Sequence, residues 1–235
     1  GKEKYCLRLS EIRFDRRKAA GILQIGIPSA FQYSLFAIAN LFVQSSVNSF
    51  DHVLVEGNSA AANADPLVYD MMAAFYTACS SFIAQNFGAK KKKRILQTYL
   101  ICLFYSFITS LVLGVGLYLA RYPFLYLFTS DKAVVDAGIT RLSIMALSYS
   151  ASAFMDASIA ASRGLGKTAV PTFVVVMGSC VFRIIWIYTI FAYFHTIQSL
   201  YILYVFSWGI TAIAENIYFF HVYRHTLTGK TESHL

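Results

Sequence analysis

The chain has 235 residues, 57% of them hydrophobic and 14% charged. A soluble domain carries about 25% charged residues, so the composition excludes a soluble globular protein. The net charge of +8 comes from Lys and Arg clustered between apolar runs; this is a membrane-topology pattern and excludes the continuous basic stripe of a nucleic-acid binder.

Residues 1–18 form a basic leader with Lys2, Lys4, Arg8, Arg13, Arg16, Arg17 and Lys18. Within it, Leu7 to Arg16 mixes apolar and basic residues and reads equally as an amphipathic interfacial segment or as a solvated linker. The apolar stretch that follows from Ala19 is too long for a signal-peptide core and has no cleavage pattern. The chain opens on Gly1 rather than Met, so a fragment of a longer protein is expected.

A helical bilayer crossing takes about 20 apolar residues. Six candidate spans appear, roughly 20–48, 60–86, 95–119, 136–162, 169–194 and 199–222. The expected fold class is therefore all-α, a polytopic membrane bundle of six transmembrane helices. A basic linker (1–18) would precede the six-helix unit (19–224), and a tail (225–235) would follow it. The leader, Lys90 to Arg94, Arg163, Lys167, Arg224 and Lys230 all fall on one side if the spans alternate, whereas the opposite loops hold only Arg121 and Lys132. The positive-inside rule then places both termini in the cytoplasm, in a multi-pass protein of the cell membrane. The Lys90–Lys93 run reads as a topology anchor rather than a lipid-binding switch.

Span one carries Asn40, Gln44 and Asn48 at i, i+4 and i+8, with Gln32 two turns earlier. An amide stripe on one helix face either joins helices or lines a water-filled path. Pro28, two residues after Gly26, is expected to bend this helix. Span two opens on a polar, small-residue stretch, Glu56 to Pro66, whose acids Glu56 and Asp65 are expected at the outer interface. Asp70 lies deeper, beside Tyr69. The loop Arg121 to Asp131 is rich in aromatics that suit an interface belt.

Span four places Tyr149, Ser152 and Asp156 on one face. A charge within a span is costly and usually has a task. A carboxylate backed by hydroxyls suits a proton relay or a bound cation, and a structural ion pair is the alternative. Span five holds Arg183, expected to pair with Asp70 or Glu215. Span six holds Ser207, Thr211 and Glu215 at i, i+4 and i+8. At about 1.5 Å per residue, Asp156 and Glu215 lie at similar depth and are expected to line one inward cavity.

Three motifs carry no chemistry. Gly166-Lys167-Thr168 mimics the end of a phosphate-binding loop, but Ala161 occupies the leading Gly position and no strand precedes it. His221 and His225 stand one turn apart at a span end without an acidic third ligand, so no metal site is expected. No G-x-S-x-G nucleophile motif is present. Cys6, Cys79, Cys102 and Cys180 show neither disulfide nor zinc spacing. No catalytic residue is assigned and no enzyme is expected.

Together these pieces resemble the MATE (multidrug and toxic compound extrusion) transporters. The matching residues are Gly26-Ile27-Pro28-Ser29, Gly57-Asn58-Ser59-Ala60-Ala61-Ala62-Asn63, Gln85-Asn86-Phe87-Gly88-Ala89, Ser162-Arg163-Gly164-Leu165-Gly166-Lys167-Thr168 with Pro171, Arg183-Ile184-Ile185-Trp186, and Ser207-Trp208. The resemblance implies twelve helices in two six-helix lobes, this chain being the C-terminal lobe after part of the cytoplasmic linker. It further implies export of small organic, often cationic, compounds in exchange for Na⁺ or H⁺, through a cavity between lobes that alternate in access. The implied partners are the bilayer, those substrates and the N-terminal six-helix lobe; no nucleic acid and no cofactor beyond the coupling ion is implied. A subgroup of the family carries a coupling Glu eight residues after the Pro, where this chain has Phe36, and Ser152 is nearer than Asp156 to that subgroup's second acid. Coupling then falls to Asp156 or to the other lobe. A lipid-linked oligosaccharide flippase on a related scaffold is the rival; it needs several buried cations, and only Arg183 reads as deep. A six-helix protein that dimerises into a complete transporter is a further alternative.

Overall fold

A computed structural model describes residues 15–226. Among them the chain is helical, with no strand. The elements are α1 (Arg16–Val47), α2 (His52–Ala62), α3 (Ala64–Gly88), α4 (Lys92–Leu119), α5 (Arg121–Tyr126), α6 (Lys132–Gly164), α7 (Ala169–Val175), α8 (Phe182–Trp186), α9 (Ala192–Phe194) and α10 (Ile197–Thr226). Helices α7 to α9 are joined by two π-bonded segments, Val176–Val181 and Ile187–Phe191, into one continuous rod. Six helical stretches are long and apolar enough to cross a bilayer, and they match the expected apolar runs one for one, the first ending one residue early at Val47.

The helices overrun those runs because polar residues cap them beyond the hydrocarbon. Asp15 accepts hydrogen bonds from the backbone N–H groups of Arg17 and Lys18 at 2.9 and 3.2 Å, so Arg16 to Lys18 belong to α1 rather than to a linker. The rest of the basic leader, its Leu7 to Arg16 segment up to residue 14, and the tail after Thr226 with Lys230 lie outside the described residues. Helix α1 runs unbroken through Pro28. The second span divides instead, between α2 and α3 at Asn63. Pro66 has no N–H to give the Ala62 carbonyl one turn back, and the Asn63 side-chain amide caps the end of α2 by donating to the carbonyls of Ser59 and Ala60.

Helix α6 is the axis of the bundle. Two-thirds of its apolar window is buried, the largest share of any span. Its Ala and Ser residues let neighbours approach closely, which is how helices associate where lipid removes the hydrophobic drive. A Cβ on Gly57 would stand 2.7 Å from the backbone of Gly138 and Val134, and one on Gly114 of α4 would run into the Ala146 carbonyl, so α2 and α4 both touch α6 backbone to backbone. Around this axis, Ala157, Ala160 and Ala161 pack with α3, α4 and α10 near one end. Met145, Tyr149 and Ala153 pack with Val68, Met72 and Trp208 in the middle. Val135 and Leu142 pack with α2 and α5 at the other end.

The segment after α6 is a helix stop. Gly166 adopts φ +75°, and the N–H groups of Gly166 and Lys167 bond the carbonyls of Arg163 and Ser162 at 2.8 and 3.0 Å. This is a Schellman C-cap, which needs Gly at the left-handed position. Large apolar side chains such as Leu100, Phe104, Ile213 and Ile217 face outward. Such a surface matches hydrocarbon and is unsuited to water.

Candidate functional site

Helices α1, α2, α3, α6 and α10 enclose two adjoining cavities. We call the end of the bundle with the α1 C-terminus and α5 the upper end, and the end with Arg163 and Lys90 to Arg94 the lower end. The upper cavity has a volume of about 270 Å³ and the lower one about 550 Å³. Phe36, Asn40, Tyr69 and Trp208 line both, so the two form one path narrowed by aromatic rings. Tyr69 meets Trp208 edge to face at 6.2 Å.

The upper cavity is walled by a buried ion pair. Arg141 on α6 forms a salt bridge with Asp65 on α3, their side chains 10% and 23% exposed. The Tyr149 hydroxyl donates to the second Asp65 oxygen. Arg141 also donates to the backbone and side-chain carbonyls of Asn58 at 3.3 and 3.1 Å. Asn58 donates onward to Gln44 at 3.4 Å, and Gln44 to Asn48 at 2.9 Å. The amide stripe of α1 thus both lines the cavity, through Asn40 and Gln44, and joins helices. Asp65, expected at an unremarkable interface, is held in this network because the Asn63–Pro66 break turns the α3 N-terminus onto α6.

At mid-height, Arg183 on α8 is fully buried. Its Nη1 donates to Asn40 at 2.8 Å and its Nε to Ser207 at 3.4 Å. Its guanidinium carbon lies 4.6 Å from the Phe36 ring centre and 4.5 Å from that of Tyr204. The expected pairing with Asp70 or Glu215 does not occur: Arg183 makes no ion pair among the described residues. Asp70 is exposed on the α3 face that carries Ala73 and Thr77. Glu215 sits lower on α10 and points into the bundle.

The lower cavity is lined by Gln32, Tyr76, Asp156 and Arg163. Arg163 donates to the Tyr76 hydroxyl at 2.7 Å and to the Gln32 carbonyl at 2.8 Å, tying α6 to α3 and α1. Asp156 makes no ion pair among the described residues. Two expectations are corrected here. Tyr149 and Ser152 do not back Asp156: Tyr149 bonds Asp65, and Ser152 donates to the Tyr149 carbonyl at 2.9 Å. Both turn into the core, whereas Asp156, a further turn on, faces the cavity. Glu215 does not share that cavity. It is fully buried and both its carboxylate oxygens lack hydrogen-bond partners among the described residues. Thr211, a turn above it, bonds the Ser207 carbonyl at 2.7 Å and Ser179 at 3.2 Å, and serves packing.

The residues that the sequence reading left without a role are Asn58, Asp65 and Arg141. Their signal was Arg141 itself, a cation within an apolar run that requires a carboxylate at similar depth. Three arginines, not one, therefore stand at or behind the cavity wall.

A family model described as MatE matches residues 28–189, more than half of the chain. A FAD transporter of Shewanella oneidensis is 25% identical over 134 residues, covering 57% of this chain and 29% of that protein. Among solved structures, a MOP superfamily transporter from Pyrococcus furiosus, described by a reversed polarity of its binding pocket, superposes with a TM-score of 0.84 at 19% identity, covering 93% of this chain and 49% of that one. The MATE transporter VcmN of Vibrio cholerae in its bent form gives 0.80 at 19% identity, with 93% and 48% covered. The chain spans about half the length of these structures, and the likeness to them is one of fold. With the family model matched over most of its spans, the chain belongs to the MatE family of membrane transporters.

Proposed function

We propose that this chain is one lobe of a secondary-active exporter that moves small amphipathic organic compounds across the plasma membrane in exchange for Na⁺ or H⁺. The observation that carries the reading is Asp156, a carboxylate that lines the lower cavity with no ion pair among the described residues. An acid in that position takes up a coupling ion without first breaking a structural bond. The clustering of Arg16 to Lys18, Lys90 to Arg94, Arg163, Lys167 and Arg224 at the lower end supports a cytoplasmic placement of that end and of both termini. The exposed apolar residues of α1, among them Ile27, Phe31 and Ile38, supply a face for the other lobe. Alternating access then works by rocking the two lobes about the shared cavity.

Cavity volume and chemistry favour a drug-sized molecule with flat aromatic parts, which suits Phe36, Tyr69 and Trp208. The FAD transporter among the relatives carries a compound of that shape. The flippase alternative gains support from the arginines at the wall, but Asp65 neutralises Arg141, which leaves fewer free cations than an anionic lipid head group calls for.

The test is efflux of a fluorescent xanthene dye from cells expressing the complete gene, with Na⁺ and pH gradients collapsed one at a time. Loss of efflux with one gradient is expected, and that gradient names the ion. Asp156→Asn is expected to lower gradient-driven efflux at least tenfold while the protein still reaches the membrane. Efflux indifferent to both gradients would overturn the exchange mechanism, and an unaffected Asp156→Asn would remove Asp156 from it.

A further inference from the structure

A buried cation in a membrane protein requires a counter-charge, and Arg183 has none among the described residues. It lies about 20 Å along its span from Ala169 at ~1.5 Å per residue, near the middle of the rod. Arg141 is neutralised by Asp65, and Arg163 stands at the lower end, where its charge acts on Asp156 and Glu215. Arg183 is held only by neutral groups: the Asn40 carbonyl, the Ser207 hydroxyl and the faces of Phe36 and Tyr204. Its Nη2 is buried with no hydrogen-bond partner among the described residues. An unmade charged hydrogen bond in low dielectric is costly, so the arrangement is complete only when an acceptor arrives.

The position tells where that acceptor comes from. Asn40 and Phe36 line both cavities, and Tyr204 lines the upper one. The guanidinium thus stands directly behind the narrow part of the path, between two rings that form its wall. Phe36 belongs to α1, the least buried of the six spans, so a modest shift of α1 or a turn of the ring brings the fork to the cavity. Arginine binds carboxylate and phosphate through two parallel N–H groups, and Nη2 is the free member of such a pair.

We propose that Arg183 is the anchor for an anionic group on the substrate, and that the cavity takes flat aromatic compounds bearing a carboxylate or phosphate. This rests on the reading of the cavity as the substrate path. It departs from the expectation of an organic cation, which would set a further positive charge against Arg183 and Arg163. The two charged roles are then separate: Asp156 receives the coupling cation and Arg183 receives the substrate anion.

The experiment uses two probes on one xanthene frame, fluorescein, an anion with a free carboxylate, and the diamino rhodamine methyl ester, a monocation with none. Binding to the purified complete transporter in nanodiscs is followed by fluorescence anisotropy, and export from cells is followed in parallel. The wild type is expected to bind the anion at least tenfold more tightly than the cation. Arg183→Met is expected to erase that preference, and Arg183→Lys to keep part of it. Tighter binding or selective export of the cation by the wild type overturns the anchor and leaves the exporter reading standing. Arg183→Met that weakens both dyes equally also overturns the anchor and makes Arg183 a structural tie. A wild type that neither binds nor exports either dye overturns the substrate path and the anchor with it. The wild-type comparison decides the matter even where a variant fails to fold.

Discussion

The upper and lower halves of the cavity hold the same kinds of groups in opposite states. In the upper half, Asp65, Arg141, Tyr149 and Asn58 satisfy one another, and the charges cancel inside the wall. In the lower half, Asp156 faces the cavity without an ion pair and Arg163 spends its bonds on the neutral Tyr76 and Gln32, while at the same depth but outside the cavity Glu215 is buried with both oxygens unbonded. The first arrangement is a strut, because a complete network resists change. The second leaves charges available to a ligand. Charge inside a span is therefore no guide to function until its partners are known.

The difference is open to direct attack by substitution, with stability followed as thermal unfolding of the purified transporter. Arg141→Met, which strands Asp65, is expected to cost about 3 kcal/mol, the low end for breaking a buried pair because Asp65 keeps some exposure. The double variant Asp65→Asn with Arg141→Met should recover most of that loss; no recovery would mean that the two residues act independently. Tyr149→Phe removes one hydrogen bond to a charged acceptor and is expected to cost about 1.5–2 kcal/mol. Arg163→Gln in the lower half, which removes a charged donor from two neutral acceptors, is expected to cost about 1.5 kcal/mol, and equal damage from Arg163→Gln and Arg141→Met would erase the contrast between the halves. The smallest effect is expected for Glu215→Gln, which replaces an unbonded carboxylate by an amide of the same shape: a change within about 1 kcal/mol, in the stabilising direction. A large loss there would show that Glu215 has a partner and that the lower half is as complete as the upper.

Much of the fold was legible because each signal is local. Six apolar runs become six spans, since each must satisfy its own backbone in hydrocarbon. Gly166 ends α6, since its left-handed backbone favours glycine and is read from three or four residues. The small residues of Gly57 to Asn63 announce close packing, and Gly57 delivers it against Gly138. The candidate site was legible only in part. Asn40, Gln44, Tyr69 and Asp156 do line the path, but Tyr149 and Thr211 are spent on the core, and Asp70 is exposed without lining either cavity.

The sequence by itself determined the number of crossings, their order, the side on which the basic residues gather and the presence of intramembrane charge. These follow from composition and a 3.6-residue period within single helices. Only the tertiary structure decided which charges cancel and which stay open. Helical period places Asp156 and Glu215 at one depth, but the rotation of α6 and α10 about their axes sends one into the cavity and the other into the core. Asp65 and Arg141 are 76 residues apart, and no local rule couples them; the break at Pro66 and the backbone contact of Gly57 with Gly138 bring them together. Arg183 found an amide and two rings where an acid was expected, because the packing of α1 onto α8 and α10 put Asn40, Phe36 and Tyr204 there first.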